Sequence, residues 1–264
     1  MNEMWKFQEH LRAFLAKFNH LSRQYDHTVN NSLEMERVIN EYSKFVTDKG
    51  NLEVWDRLEH QKSSDFLQLA IDLRRESAIC VAIMEKYRAL KLQKGDVEIT
   101  EYFKNIESCI EEEFGSFRLS SNSKVLFIGS GAFPMTPILI AKRTGAEVVG
   151  IDIDNEAIEL GRNVIEKLSS GLNIRVEKVL VENLEFTKEA THIIFSSTVE
   201  NKYDLLDQLY LSTNEHIVVA MRYGDHLKSL FNFPLQVVNP QRWKLVEHVR
   251  RPDHVFDVAL YKKT

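Results

Sequence analysis

A glycine-containing segment followed by an acidic residue is the part of the sequence best suited to bind a ligand. The strand-like run KVLFI leads into Gly129, Ser130 and Gly131, and the next β-rich run, EVVGID, ends in Asp152. Glycines after a buried strand let a ligand approach the backbone N–H groups, and an acid ending the next strand accepts hydrogen bonds from both hydroxyls of a ribose. Together these features predict an adenosine-containing ligand.

Two phenylalanines in this segment change which ligand is expected. Phe133 stands where a dinucleotide site needs a third glycine, which disfavours NAD. The segment is otherwise similar to the loop of S-adenosylmethionine (SAM) methyltransferases, with Phe127 in place of their acid and Phe133 in place of their last glycine. In that resemblance both positions help to hold the methionine end of SAM, whereas Asp152 belongs to the ribose end. The sequence therefore predicts SAM with an altered grip on its amino-acid arm.

The change in the residues that contact the methionine part of SAM affects which carbon of SAM reacts. Attack on the methyl group gives methylation, whereas attack on the methylene of the amino-acid arm transfers a 3-amino-3-carboxypropyl group and releases methylthioadenosine. The outcome follows from the carbon that is held in line with the nucleophile. An enzyme that uses a different carbon of SAM must hold the amino-acid arm by different contacts.

One carboxylate is predicted to act as the base that activates an attacking amine. In the helical run SSDFLQLAIDLRRESAICVAIMEKYRALKL, Glu76 is the only charged residue of an apolar stripe spaced at three and four residues. Burial would raise the pKa of this carboxyl group towards the range of a general base. The alternatives are a buried salt bridge from Glu76 to Arg74 or Arg222 and an edge residue whose carboxylate reaches water.

The remaining candidates follow from positions beside the loop and at strand ends. Substrates of such sheets lie at the carboxyl ends of the strands. The predicted cofactor-binding residues are Gly129, Ser130, Gly131, Ala132, Phe133, Pro134, Asp152, Ile153, Asp154, Val181, Glu182, Ser196 and Ser197. The predicted substrate-binding residues are His10, Phe14, Thr198, Arg222, Tyr223 and Asp225. For Glu182 a solvated loop acid is the alternative, for His10 and Phe14 it is core packing, and IEEEF is interpreted as a solvated helix face.

Two regions that differ in their sequence periodicity must position these residues. Residues 1–115 contain no proline and show helical periodicity throughout, which predicts an all-helical domain. In residues 116–264, short Val/Ile/Phe-rich runs alternate with helical segments, which predicts an α/β, Rossmann-like, mostly parallel sheet that binds SAM. The tail, WKLVEHVRRPDHVFDVALYKK, is predicted to form an antiparallel hairpin at the edge of the sheet.

The composition of the chain argues against nucleic acid and membranes as partners. The formal net charge of −5 gives no basic footprint for nucleic acid or an anionic membrane, and no apolar run reaches 18 residues. Cys80 and Cys109 are expected to be reduced thiols of a cytoplasmic protein. The histidines are too scattered to predict a metal site, so small-molecule substrates without a metal are expected, and a homodimer is compatible with the sequence.

The loop also resembles that of a known enzyme family. FIGSGAFPMTPILIAKR is similar to the nicotianamine synthase loop, with Ala132 in place of the usual proline and Pro137 after the shared Thr136. HIIFSSTVENKYDLLDQL and HIVVAMRYGDHLKSLFNFPL resemble the fourth and fifth strands of that family with their following segments. The likeness extends over roughly residues 60–260 and places the family's helical-domain glutamate at Glu76.

The resemblance is to the short bacterial branch of this family. It implies transfer of one 2-aminobutanoate unit from SAM to the amine of histidine, with D-histidine favoured, in the biosynthesis of opine metallophores of the staphylopine type. Methylthioadenosine would be the by-product. Two alternatives stay open: a small-molecule N- or O-methyltransferase, which would release S-adenosylhomocysteine, and a non-catalytic SAM-binding protein, which would show no turnover.

Overall fold

The amino-terminal part of the protein is helical, and the carboxyl-terminal part is built on one sheet. The computed structural model describes residues 3–61, 63–95, 113, 115 and 117–264. The helices are α1 (Glu3–Ser22), α2 (Ser32–Thr47), α3 (Lys49–Gln61), α4 (Ser64–Gln93), α5 (Met135–Thr144), α6 (Asn155–Leu168) and α7 (Lys202–Ser212). The helical segment predicted before Gly115, with Cys109, lies outside the described residues, and the boundary between residues 115 and 116 stays a prediction.

A seven-stranded sheet forms the centre of the second part. Its strands are β1 (Lys124–Ile128), β2 (Glu147–Ile151), β3 (Ile174–Glu177), β4 (His192–Phe195), β5 (Val218–Tyr223), β6 (Trp243–Val249) and β7 (Asp257–Lys263). They lie in the order β3-β2-β1-β4-β5-β7-β6. Strands β1 to β5 are parallel, and the hairpin β6–β7 joins β5 in antiparallel fashion. The predicted fold class is confirmed.

Helix α4 is buried on two opposite sides because it separates the other helices from the sheet. On one side it contacts α1 and α2, where the Cys80 Sγ lies 3.5 Å from the Phe18 carbonyl oxygen. On the other side it contacts α6 and the loop after β5, where Arg74 donates to the Ser229 carbonyl oxygen at 2.5 Å. A helix buried in this way carries two apolar stripes, and only the α1-facing stripe was identified from the sequence.

Direct polar contacts also join the two parts. Tyr42 of α2 donates to the Leu230 carbonyl oxygen at 2.9 Å, and Tyr25 donates to Glu156 of α6 at 2.6 Å. Residues of α4 and residues that follow β1 and β4 line one pocket. Among the described residues, no helix is both long and apolar enough to cross a membrane.

Candidate active site

The loop after β1 needs glycine at two positions for steric and conformational reasons. Gly129 and Gly131 have φ angles of +81° and +66°, in the left-handed region that favours glycine. A Cβ atom at Gly129 would lie 2.7 Å from Val199 Cγ2, and one at Gly131 would lie 1.8 Å from the Glu85 Oε2 atom. The loop therefore presents bare backbone at the edge of the sheet, in contact with α4.

Asp152 holds this loop from the end of β2. Its Oδ2 accepts a hydrogen bond from the Gly131 N–H at 2.9 Å, and its Oδ1 accepts from the Asp154 N–H at 3.0 Å. The next side chain, Ile153, is 77% exposed, which is unusual for a large apolar residue beside a binding loop. A half-buried carboxylate beside an open apolar surface suits a ribose next to an adenine ring.

Other predicted cofactor residues have structural roles or lie at the rim. The Asp154 carboxylate caps α6 by accepting from the Glu156 and Ala157 N–H groups, and it pairs with Lys86 at 2.6 Å. These contacts occupy Asp154, so the structure does not direct it at the loop. Val181 is buried in a 3-10 turn after β3, and Glu182 in the same turn is exposed.

A second glutamate of α4 lies against the glycine loop. Glu85 of α4 lines the pocket at the loop, and its carboxylate accepts a hydrogen bond from the Ala132 N–H. Burial, and then the negative charge of Asp152, raise the pKa of Glu85 to about 8, against the opposing influence of Ala132, Arg88 and Arg222. The ionised form of such a carboxyl group, a minority at pH 7, is a stronger base than an ordinary carboxylate.

Glu76, the predicted base, lies on the other side of the same helix. Its carboxylate accepts a hydrogen bond from the Ser22 hydroxyl of α1 at 3.4 Å, and it does not line the pocket at the loop. Nine residues separate Glu76 from Glu85, and at about 100° per residue this spacing puts them on opposite faces. Neither predicted ion pair forms, because Arg74 and Arg222 bind other partners. The structure therefore moves the candidate base from Glu76 to Glu85.

Arg222, at the end of β5, is the buried cation of the pocket. Its guanidinium binds both carboxylate oxygens of Glu113, at 2.6 and 2.7 Å, and donates to the Thr136 hydroxyl at 3.1 Å. The rings of Phe127 and Phe256 lie 5.2 and 4.8 Å from it. Glu113 is only 1% exposed, so the interpretation of IEEEF as a solvated face is wrong at this residue.

The two phenylalanines that distinguish this loop from methyltransferase loops each contact an arginine. The Arg222 guanidinium lies 5.2 Å from the Phe127 ring, and that of Arg88 lies 5.0 Å from the Phe133 ring. Both rings line the pocket that Glu85 also lines. An aromatic face attracts a guanidinium group. The substitutions therefore place two cations around the position where SAM's amino-acid arm is expected.

The pocket is lined by the glycine loop, by the residues after β4 and by Arg222. Its volume is about 40 Å³. The residues that line it are Val81, Glu85, Phe127, Gly129, Ser130, Phe133, Pro134, Met135, Thr136, Pro137, Ser196, Ser197, Thr198, Arg222 and Phe256. Ser196 and Ser197, predicted to bind the cofactor, and Thr198, predicted to bind the substrate, all line this pocket, and their roles stay predictions.

Four predicted substrate residues lie elsewhere. Tyr223 follows Arg222 on β5, so its side chain projects to the other face of the sheet, where its hydroxyl lies 3.1 Å from His248 Nδ1. Tyr223 and Asp225 line a separate cavity of about 420 Å³. His10 and Phe14 line a groove of about 360 Å³ in the helical part.

A potential metal-binding group also lies away from the pocket. In the described part of the chain, Asp56, Glu59 and His226 are the one set of three such side chains whose ligand atoms lie within 4.8 Å of one another. None of them lines the pocket at the loop.

Comparison with known proteins bears out the resemblance. No family model matches the chain. An L-histidine 2-aminobutanoyltransferase of Pseudomonas aeruginosa is 28% identical over 211 residues, covering 78% of this chain and 80% of its own. One of Yersinia pestis is 27% identical over 228 residues, covering 85% and 84%. The resemblance predicted from the sequence is confirmed.

Solved structures show the same architecture across the whole chain. A point mutant of the nicotianamine synthase MtNAS matches with a TM-score of 0.79 and 15% identity, covering 100% of this chain and 99% of its own. MtNAS in complex with MTA and tNA matches with a TM-score of 0.77, 15% identity and the same coverage. The chain has the nicotianamine synthase fold.

Proposed function

We propose that this protein transfers the 3-amino-3-carboxypropyl (2-aminobutanoate) group of SAM to the amine of histidine and releases methylthioadenosine. The names of the curated relatives support the reaction and the acceptor. The position of Glu85 is the structural observation that carries the proposal. Its carboxylate lies at the altered end of the loop, where a base can reach the amine that attacks the amino-acid arm.

The loop and the end of β2 are proposed to hold the adenosine. Asp152 would bind the ribose hydroxyls, the backbone of residues 129–131 would follow the ligand, and Ile153 would cover the adenine. Ser196 and Ser197 close the loop from the end of β4. This arrangement leaves the sulfonium and the amino-acid arm facing Glu85 and Arg222.

Glu85 is proposed to take the proton that the amine must lose. The amine nitrogen forms a bond to the γ-methylene of SAM, the bond from that carbon to sulfur breaks, and sulfur keeps the electron pair as methylthioadenosine leaves. Arg222, which keeps its bidentate contact with Glu113, and Thr198 line the same pocket, and both are proposed to contact the substrate carboxylate. Because the pKa of Glu85 is about 8, its carboxylate form is basic enough to take the proton of the amine, and this form increases as pH rises towards 8.

The handedness of histidine is part of the proposal that an assay can decide directly. The resemblance favours D-histidine and a metallophore of the staphylopine type, whereas the curated relatives are named for L-histidine. The acceptor proposal needs only the amine, carboxylate and imidazole that both forms carry. A cytoplasmic location and a homodimer remain predictions.

Chromatography of the nucleoside product tests the reaction. The protein is incubated with SAM and either L-histidine, D-histidine, alanine or phenylalanine at equal concentration. Methylthioadenosine released fastest with one form of histidine supports the proposal and assigns the handedness. S-Adenosylhomocysteine would instead indicate a methyltransferase, and SAM binding without any product would indicate a non-catalytic binding protein.

A further inference from the structure

A fully buried lysine lies directly behind the candidate active site. Lys202 is the first residue of α7, and its side chain has no exposed surface. The Nζ atom donates to the Arg222 carbonyl oxygen at 2.7 Å and to the Phe233 carbonyl oxygen at 2.8 Å. A lysine is rarely buried to this extent without an acidic partner.

The surroundings of the amine match its uncharged form. Within the described part of the chain, the Lys202 Nζ makes two hydrogen bonds and no ion pair, and a neutral amine has two N–H groups to donate. The charged groups that face it are Arg74 of α4 and Asp225 after β5. Burial, reinforced by the positive charge of Arg74, lowers the pKa of Lys202 to about 7.

The two carbonyl groups belong to segments that form one side of the pocket. The Phe233 N–H donates to the Ser197 carbonyl oxygen at 3.1 Å, and the Gly224 N–H donates to the Phe233 carbonyl oxygen at 3.4 Å. The amine of Lys202 thus joins the end of β5, which carries Arg222, to the segment that contacts the end of β4. The guanidinium of Arg222 is fixed from the opposite side by Glu113.

We propose that Lys202 is a positioning residue, whose amine sets the place of the Arg222 main chain and so the depth of the Arg222 guanidinium in the pocket. The inference rests on the proposed function, in which this pocket binds SAM and histidine. Misplacing a binding group by about 1 Å can reduce a rate by about 100-fold even when the substituted residue is far from the chemistry. Lys202 acts through Arg222 and touches no substrate.

Lys202→Met tests the inference, because it removes the donor and keeps an apolar side chain of similar length. The matched control is Lys167→Met, because the Lys167 Nζ also donates to two carbonyl groups, those of Leu92 and Gln93, away from the pocket. Melting temperature, SAM affinity by calorimetry, and kcat and KM for histidine are measured for the full chain. The unaltered protein must release methylthioadenosine, which tests the proposed function separately.

We expect Lys202→Met to lower kcat/KM for histidine by about 10- to 100-fold per folded molecule, mainly through KM. SAM affinity should change less than about threefold, because the adenosine loop keeps its contacts. Lys167→Met should keep kcat/KM within about twofold. A folded Lys202→Met with kcat/KM within twofold of the unaltered protein would overturn the proposal.

A second variant covers the case in which Lys202→Met does not fold. Lys202→Gln is neutral and keeps two N–H donors on a slightly shorter side chain. Recovery of most of kcat/KM in Lys202→Gln supports a hydrogen-bonding role. A folded Lys202→Gln with normal kcat/KM but without the two hydrogen bonds, as seen in its crystal structure, would refute it.

Discussion

Replacing Glu85 with glutamine removes the proposed proton acceptor and keeps the size of the side chain. Glutamine Oε1 can still accept the hydrogen bond from the Ala132 N–H that the carboxylate now receives. The loop should therefore keep its shape, and SAM should still bind. The proton of the attacking amine, however, loses its acceptor.

The magnitude follows from the pKa of Glu85. Because that pKa is about 8, roughly one molecule in ten carries the carboxylate at pH 7 in the absence of ligands. Loss of a general base commonly lowers a rate by about 10²–10⁴-fold. We expect Glu85→Gln to lower kcat by an amount in this range, with SAM affinity changed by less than about threefold. The acidic limb of the pH profile of kcat/KM, which reports the free enzyme and should have an apparent pKa near 8, should disappear with it.

The raised pKa of Glu85 also predicts how the free energy of unfolding depends on pH. The ordinary pKa of glutamate is 4.5, so between pH 4.5 and 8 the folded protein holds a proton that the unfolded chain has released. The free energy of unfolding of the unaltered protein therefore falls as pH rises through this window, by at most about 1.4 kcal/mol per pH unit. Glu85→Gln lacks this dependence and should become relatively more stable towards pH 8.

Glu76→Gln is the matched control, because it makes the same change nine residues earlier on the same helix. Its hydrogen bond from Ser22 is long and lies outside the pocket, so kcat should stay within about threefold. Rapid-quench measurement of methylthioadenosine at saturating SAM and histidine gives kcat for both variants. If Glu85→Gln turned over normally and Glu76→Gln did not, the base would be Glu76 and the reasoning from the pocket would be refuted.

Four further substitutions test separate parts of the site. Asp152→Ala should weaken SAM binding by about 1–3 kcal/mol in calorimetry, since it strands the partners of a buried hydrogen bond; an unchanged affinity would mean that the nucleotide lies elsewhere. Gly131→Val should abolish SAM binding, because its Cβ would collide with the candidate base and its φ is +66°; measurable binding would contradict this. Glu113→Gln leaves the buried Arg222 without its anionic partner and should lower the free energy of unfolding by about 3–5 kcal/mol in urea titrations; a loss below about 1 kcal/mol would speak against it. The pKa of Lys202 is about 7 when folded and ordinarily 10.5, so the unfolded chain binds the extra proton between these values. The stability of the unaltered protein relative to Lys202→Met should therefore rise with pH across that window, by at most about 1.4 kcal/mol per unit, and a flat difference would contradict the low pKa.

Local spacing was sufficient for the parts of the site that lie next to one another in the chain. The loop of residues 129–131 and Asp152 are joined by one strand–helix–strand unit, whose geometry is fixed by short-range rules. The parallel sheet and its edge hairpin follow from the same alternation of apolar runs. The sheet and its hairpin are confirmed, and the ligand contacts of the loop and of Asp152 stay predictions.

Glu76, the base predicted from the sequence, lies away from the pocket, because the side of α4 that faces the glycine loop is set by packing between distant segments. Helical periodicity identifies an apolar stripe, but it cannot say which of two stripes on α4 faces the sheet. Glu85 shares the second stripe with Val81 and Arg88, at steps of four and three, and this spacing was the available signal. A helix that is apolar on two sides predicts burial between two layers, and a carboxylate on either side is then a candidate.

The substrate residues at β5 show a simpler error. Arg222 and Tyr223 are consecutive in a strand, so their side chains must project to opposite faces, and the sequence alone forbids both from lining one pocket. Glu113 could not be found in this way. Its burial depends on Arg222, more than one hundred residues away in the chain, and a run of three glutamates has no local feature that marks one of them as buried.

The contact of Glu85 with the glycine loop couples the charge of the co-substrate to the proton on the base. A cation that binds over the loop, as we propose for the sulfonium of SAM, favours the ionised carboxylate and lowers the pKa of Glu85. SAM binding near pH 7 should therefore release part of a proton, and calorimetry in two buffers of different ionisation enthalpy would measure that fraction. In thermodynamic terms, the affinity for SAM and the basicity of Glu85 are linked functions of pH. SAM binding would therefore increase the fraction of Glu85 that is ionised and able to take the proton of the amine.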